Sequence, residues 1–433
     1  MRKIDWYDEF VNRNYRPKKR EIVALFRYGA TGISSKEAVG RIASESSVGT
    51  WTTLPGMPVK QINKLKAIAF WYNKEFAKIA YPLELWERGS IPQLMTGIAG
   101  NIFGMKALKN LRLIDASLPR EYLKEFKGAV YGKEAIKKIF KKRKGPITAT
   151  VIKPKLGYTA EQHAKLAYEI YLGGIDCVKD DENLTDLKFN RFNKRVELVA
   201  KARDKAEKET KEIKDAFINV TAPNLKELER RIRLVHDFGF RYFMIDVVIS
   251  GFTAVQTAAE LAKDYKMAIH AHRAMHAAFT RSNKHGISML FLAKLFRIIG
   301  VDNIHIGTIV GKMAGSENEI IAMKEMLLSK KVKGIPKLRL EQNFYHIRPI
   351  LPVASGGLHP GILPVLFDAF GTTDIAIQVG GGVLGHPQGA EAGAKAVCQA
   401  IEAYHRGIKL EEYAKKHKEL REALEKWGTL RPM

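Results

Sequence analysis

From Pro146 onward the sequence repeats one pattern: a short apolar run, then a stretch of helical periodicity, then another apolar run. The runs are 147–152, 175–178, 216–220, 242–248, 268–271, 303–306, 351–354 and 375–379. Eight strands alternating with helices over about 300 residues predict a (β/α)8 TIM barrel. Residues 1–128 lack this alternation. They mix strands with helices and are expected to form an N-terminal α+β domain, followed by a barrel domain over 129–433 with C-terminal helices. A chain of 433 residues is long enough for two cores, since single cores stop growing near about 250–300 residues.

A barrel predicts where its chemistry lies, because such enzymes assemble their sites at the carboxyl ends of the strands. The polar motifs fall there. Lys153 follows the first run, Lys179 to Glu182 the second, His272 and Arg273 the fifth, His305 the sixth, Ser355 the seventh and Gly380 the eighth.

In Gly173-Gly174-Ile175-Asp176-Cys177-Val178-Lys179-Asp180-Asp181-Glu182-Asn183, strand alternation turns Lys179 and Asp181 the same way. Glu182 joins them only where the strand gives way to a loop. Two carboxylates make a hard oxygen site suited to Mg2+, and an ammonium beside a dication is repelled. CO2 adding to the neutral amine of Lys179 gives a carbamate, which turns the cation into a third oxygen ligand. A solvated charge run at a strand end is the ordinary alternative for such a string.

Gly380-x-Gly382-x-x-Gly385 matches a dinucleotide fingerprint, but that motif needs a further strand after its helix, and the sequence past Ala403 reads as helix. Phosphate binding by the glycine amides and the following helix end fits better, supported by Ser355-Gly356-Gly357 at the neighbouring strand. His270-x-His272-Arg273-x-x-His276 has the look of a metal motif, and with a carbamylated lysine it resembles the amidohydrolase barrels. There the paired histidines precede the lysine, whereas here they follow it. Gly307 to Gly315 reads as a hinged loop carrying one lysine, Lys312.

The net charge of +26 favours anionic partners. A phosphorylated small molecule fits this charge and so does nucleic acid, but the basic residues are interleaved with acids on amphipathic helices and no nucleic-acid motif accompanies them, so nucleic acid is not expected. The N-terminus lacks a signal-peptide core and no run reaches the about 18 apolar residues of a membrane span. With Cys177 and Cys398 as the two cysteines, a cytoplasmic protein without membrane partners is expected.

Gly173 to Leu184, taken with Glu45-Ser46-Ser47-Val48-Gly49-Thr50-Trp51, Gly100-Asn101-Ile102-Phe103-Gly104, Lys153-Pro154-Lys155, the His270–His276 motif, His305 to Lys312, Ser355 to His359 and Gly380 to Gly382, resembles the large subunit of ribulose-1,5-bisphosphate carboxylase/oxygenase, Rubisco. The ending Glu425-Lys426-Trp427-Gly428 and strings such as His276 to Arg281 are most similar to archaeal form III members.

The resemblance implies a lyase that adds CO2 and water to ribulose 1,5-bisphosphate through a Mg-bound enediolate, giving two 3-phosphoglycerate, with O2 competing. It implies Mg2+ on carbamylated Lys179, Asp181 and Glu182. Lys153 is implied to protonate the cleaved fragment with Lys155 in support, His272 to transfer protons, and Lys312 to polarise CO2. Arg273 and His305 are implied to hold one phosphate, with Ser355, Gly356, Gly357, Gln378, Gly380 and Gly381 also contacting substrate. Glu45, Thr50, Trp51 and Asn101 are implied to come from the neighbouring subunit, so the expected unit is a homodimer or an assembly of dimers without small subunits. Ile306 departs from plant-type members, which carry serine there. A Rubisco-like isomerase or tautomerase would lack parts of the phosphate and lid set, which this sequence retains.

Overall fold

The structure is a computed structural model and describes residues 5–50, 52, 54–142, 144–310 and 316–429. Its contacts divide it into two units: Met1–Lys127 with Met275–Ile298 and Ser329–Ile347, and Gly128–Ala274 with Ile299–Leu328 and Arg348–Met433.

The second unit contains the expected barrel. Its strands are Ile147–Val151, Cys177–Lys179, Asp215–Phe217, Tyr242–Asp246, Ala268–His272, Asn303–His305, Leu351–Ser355 and Ala376–Gln378. They pair in parallel, first with second, second with third, and so on round through the eighth, which returns to the first. Closure between third and fourth comes just past the end of the third strand, where Met244 N donates to Ile218 O at 2.8 Å and Val220 N to Met244 O at 2.9 Å.

The barrel interior is filled. Ile147, Ala149, Cys177, Phe217, Tyr242, Met244, Ala268, Leu351, Val353 and Ala376 pack as one buried cluster, and Phe217 meets Tyr242 edge-on with ring centroids 5.0 Å apart. Each large apolar side chain so buried contributes about 1.5–3 kcal/mol. The plug closes one end of the barrel and leaves chemistry to the other.

Buried aspartates secure the amino-terminal ends of the strands. Asp176 accepts from the Thr148 amide and hydroxyl, both at 2.9 Å. Asp302 accepts from the amides of Ile269 (3.0 Å), Tyr131 (2.9 Å) and Gly132 (2.8 Å), and Asp215 from those of Ala216 (2.7 Å) and Arg241 (3.1 Å). These bonds satisfy amides that no neighbouring strand reaches. Burial pushes the carboxyls of Asp215 and Asp302 up to about 6.

The first unit is built on a five-stranded sheet in the order Gly286–Ile287, Leu108–Ser117, Ile22–Ala30, Phe76–Tyr81, Ile68–Tyr72. Two of its segments come from within the sequence of the barrel. One carries Lys294, whose ammonium lies 2.5 Å from the carboxylate of Asp115 and donates to Ala116 O at 2.8 Å. Both partners are fully buried, so each charge depends on the other. The second segment brings Leu340 against Leu25, Phe76 and Ile114.

Candidate active site

The second barrel strand ends at Lys179. The lysine is 1% exposed, its Nζ donating to Asp180 O at 2.8 Å and standing 3.7 Å from Glu182 Oε2. Burial pulls its pKa down, against the pull of the Glu182, Asp181, Asp246 and Asp180 carboxylates. Beyond the strand, Leu184 N donates to Asp181 O at 2.9 Å, and this turn swings Glu182 round toward the lysine. Asp181 Oδ2 accepts from Lys153 Nζ at 2.6 Å, and its Oδ1 from the Asn183 amide and side chain, both at 3.1 Å. Burial alone would raise the Asp181 pKa, but the bonds from Lys153 and Asn183 outweigh it and hold the carboxylate below its usual range.

Asp180 points the opposite way, as alternation requires. Its carboxylate takes Arg195 Nε and the Asn219 amide, each at 3.0 Å, and lies 3.3 Å from His163 Nε2. Arg195 also donates to Thr185 O and to Asn190. The segment that carries Lys179 and Asp181 is thus gripped from behind by the surrounding helices.

Across the barrel mouth, His272 places Nδ1 2.9 Å from Asp246 Oδ1 and Nε2 3.6 Å from Glu182 Oε2. The Ala274 amide also donates to Nδ1 at 3.2 Å, so the two neighbours of Nδ1 favour opposite tautomers; the Asp246 charge favours the one with its proton on Nδ1, which leaves the Nε2 lone pair toward the site. His270, two residues earlier, has another fate. It stacks on Phe217 at 4.1 Å with the rings 7° apart, and burial holds it well below the usual histidine range. Its Nε2 lies 2.9 Å from His305 Nε2, while His305 Nδ1 meets Ser355 Oγ at 2.7 Å. Both nitrogens of buried His305 are therefore engaged, and it reaches the mouth through Ser355. His276 lies in the first unit, its Nδ1 2.9 Å from Thr280 Oγ1. The three histidines do not form a metal motif.

Arg273 follows His272, and its Nη2 lies where a side chain on Gly307 would stand, 2.9 Å from the missing Cβ. Gly307 takes φ +89. Burial lowers the Arg273 pKa to about 10, which leaves it cationic at neutral pH. Lys155 is exposed beside the first strand.

At the seventh strand Gly356 and Gly357 take φ +114 and +74, conformations that suit glycine. At the eighth, a Cβ on Gly380 would stand 2.9 Å from Val151 Cγ1 and one on Gly382 2.4 Å from Leu358 O, whereas Gly381 has nothing within 4 Å of its missing Cβ. Close packing thus requires two of these glycines, and Gly381 presents open backbone. The helix that follows, Gly381–Leu384, has only four residues. The buried Gln378 Nε2 has no hydrogen-bond partner among the described residues.

Glu45 ends the helix Ser35–Glu45 and Asn101 begins a 3-10 turn, both exposed in the first unit. Thr50 is half-buried and donates to Thr52 O at 2.9 Å. Trp51, Gly311, Lys312 and Gly315 lie outside the described residues.

Sequence reasoning missed two groups. Asp246 ends the fourth strand, and Asn219, just past the third, donates through Nδ2 to Glu182 O at 3.1 Å. The barrel pattern itself was the available signal, because these are polar residues at the carboxyl ends of the two strands that had no motif.

A closed (β/α)8 barrel with a buried lysine among carboxylates, a histidine held by Asp246 and two glycine loops at one mouth defines a class of barrel enzyme with its site at the carboxyl ends of the strands. Residues 133–427 match the family model of the ribulose bisphosphate carboxylase large chain, catalytic domain, and residues 9–122 that of its N-terminal domain. The chain is 51% identical to a ribulose bisphosphate carboxylase of Pyrococcus abyssi over 99% of both chains, and 49% identical to one of Archaeoglobus fulgidus over the full length of both. Among solved structures it is similar to the dimeric archaeal Rubisco of Hyperthermus butylicus, with TM-score 0.94, 50% identity and coverage of 98% of this chain and 100% of that one. It is also similar to the octameric enzyme of Pyrococcus horikoshii, with TM-score 0.92, 49% identity and coverage of 98% of each. The chain belongs to the Rubisco large-chain family.

Proposed function

We propose that this chain carboxylates ribulose 1,5-bisphosphate to two molecules of 3-phosphoglycerate, with oxygenation as the competing reaction, as a cytoplasmic form III enzyme built from homodimers. The observation that carries this reading is the buried Lys179 amine, set at a strand end with Asp181 and Glu182 in a chain about half identical to ribulose bisphosphate carboxylases along its whole length. The cytoplasmic assignment rests on two cysteines that are both free. Among the described residues no helix is long and apolar enough to cross a membrane.

The donor set fits Mg2+ in one way. Among the described residues no three His, Cys, Asp or Glu side chains stand together as ligands, so Asp181 and Glu182 need a third oxygen. A carbamate on Lys179 supplies it, and burial that lowers the amine pKa increases the neutral fraction able to take CO2. When bound, Mg2+ supplies the positive charge that makes loss of the substrate's C3 proton favourable.

Each protein group then has a task. The Lys179 carbamate oxygen takes the C3 proton. His272, with its lone pair on Nε2, moves protons at the substrate hydroxyls. Lys312 stabilises the carboxylate formed when CO2 adds at C2. Lys153, an ammonium held 2.6 Å from Asp181, protonates the fragment released by cleavage, and Lys155 supports it electrostatically. Arg273, Ser355 with His305 behind it, Gly356, Gly357, Gln378, Gly380 and Gly381 receive the phosphates and the adjoining oxygens. Glu45, Thr50, Trp51 and Asn101 complete the site from the neighbouring subunit.

Fixation of 14CO2 into 3-phosphoglycerate by the purified chain with ribulose 1,5-bisphosphate and Mg2+ tests the reading directly. A folded protein that takes up no label after preincubation with bicarbonate and Mg2+ refutes it. Asp246→Asn tests the histidine assignment. Asparagine removes the charge that favours the Nδ1–H tautomer, and general acid–base catalysis is worth about 10²–10⁴-fold. The variant is expected to lose at least about tenfold in kcat while it is still activated by CO2 and Mg2+. A wild-type kcat would remove Asp246 from the mechanism.

A further inference from the structure

The helix Lys418–Trp427 holds no residue given a role above, yet its last turn lies against His359 and Gly385, which follow the two glycine loops. The Trp427 ring packs on His359, four residues past Ser355, with centroids 6.0 Å apart and planes 35° apart. Lys426 Nζ donates to Gly385 O at 2.6 Å, and a Cβ on Gly385 would stand 3.4 Å from Trp427 Cζ2. A Cβ on Gly361 would fall 1.9 Å from Gly428 O. The loops also touch each other, since the missing Cβ of Gly382 lies 2.4 Å from Leu358 O and 2.6 Å from His359 Cα. One turn away, His386 Nε2 meets Glu419 O at 2.9 Å.

These separations put the helix end in contact with both segments. Close-packed interiors transmit displacement, because any gap forfeits contact energy and any overlap is repulsive. A displacement of the helix end therefore bears on segments 355–362 and 380–386. Two glycine loops read one phosphate only if their backbones keep a set spacing; the pairing of Ser355 with Gln378 and the close approach of Gly382 to Leu358 set it from within, and the helix end bears on it from outside.

We propose that Trp427 is a positioning residue that clamps the loops after the seventh and eighth strands, fixing the spacing of Gly356–Gly357 and Gly380–Gly381 for one phosphate of the substrate. The proposal rests on the phosphate-binding role given to these glycines above. It assigns Trp427 to substrate binding and not to the chemical step.

The test compares W427A, W427F, G361A and G381A in the full-length chain, reading KM for ribulose 1,5-bisphosphate, kcat, competitive inhibition by inorganic phosphate, and Tm. W427A is expected to raise KM and weaken phosphate inhibition by about tenfold or more, the loss of about one charge-assisted hydrogen bond to phosphate. kcat should stay within about threefold, as loss of binding without loss of chemistry requires. W427F keeps a ring on His359 and should restore both values. G361A pushes the helix end away with Trp427 intact and should reproduce W427A. G381A adds a methyl where the structure is open, so it tests the phosphate reading alone and should raise KM whatever Trp427 does. If G381A raises KM while W427A and G361A do not, the clamp is overturned and the phosphate site stands. If G381A leaves KM and phosphate inhibition unchanged, the phosphate reading falls and the clamp with it. If W427A and G361A lose kcat, KM and Tm together, the helix end is a buttress only, and the proposal is likewise overturned.

Discussion

Lys179→Ala is expected to lose carboxylation by about 10³-fold or more, the several kcal/mol that a metal centre supplies, and to lose activation by CO2 and Mg2+ with it. The wild-type amine is buried against Asp180 O and Glu182, and burial pulls its pKa down. Only the neutral amine adds CO2, so preincubation of the wild type should activate faster as pH rises through the amine pKa and then level off. The variant should show no such phase, and Mg2+ with bicarbonate should not raise its Tm. A Tm near that of the wild type without Mg2+ separates loss of the metal site from loss of fold. Full activity of the variant in bicarbonate and Mg2+ would remove the carbamate from the mechanism.

Mixed dimers of Glu45→Gln and Lys179→Ala are expected to recover carboxylation that neither variant shows alone. In the proposed homodimer a barrel is completed by Glu45 and Asn101 of the neighbouring chain, so one site of the mixed dimer joins an intact Lys179 to an intact Glu45. That site should return activity approaching half of the wild-type value per dimer, on the expectation that separate sites act independently. Coexpression with two affinity tags isolates the heterodimer. If verified heterodimers stay as inactive as their parents, each site is built within one chain, and the shared-site homodimer is wrong.

Much of the architecture was legible because it follows from local periodicity. A strand buried in a parallel sheet must be apolar, and a covering helix must be amphipathic. The alternation from Pro146 onward therefore announces eight strands, and the structure has them in a closed ring. The position of Lys179 at the end of the second strand was legible for the same reason, since an apolar run stops there and charge begins.

Partner choice was not legible, because it depends on residues far apart in the chain. His270, His272 and His276 look alike in the sequence, yet one stacks on Phe217, one turns to Asp246 and Glu182, and one joins Thr280 in the other unit. Asp246 and Asn219 have no local motif. Their roles come from strands that meet only when the barrel closes.

The sequence by itself determined the barrel, the strand ends where polar groups collect, and the kinship that names their chemistry. The tertiary structure alone decided that segments 275–298 and 329–347 join the first unit, that both nitrogens of His305 are occupied, and that Trp427 lies against His359 and Gly385, which follow the two glycine loops. The division has one cause. Hydrophobic period is written in neighbouring residues, whereas a buried charge, a ring nitrogen or a glycine contact is satisfied by whichever distant backbone folding brings within about 3–4 Å.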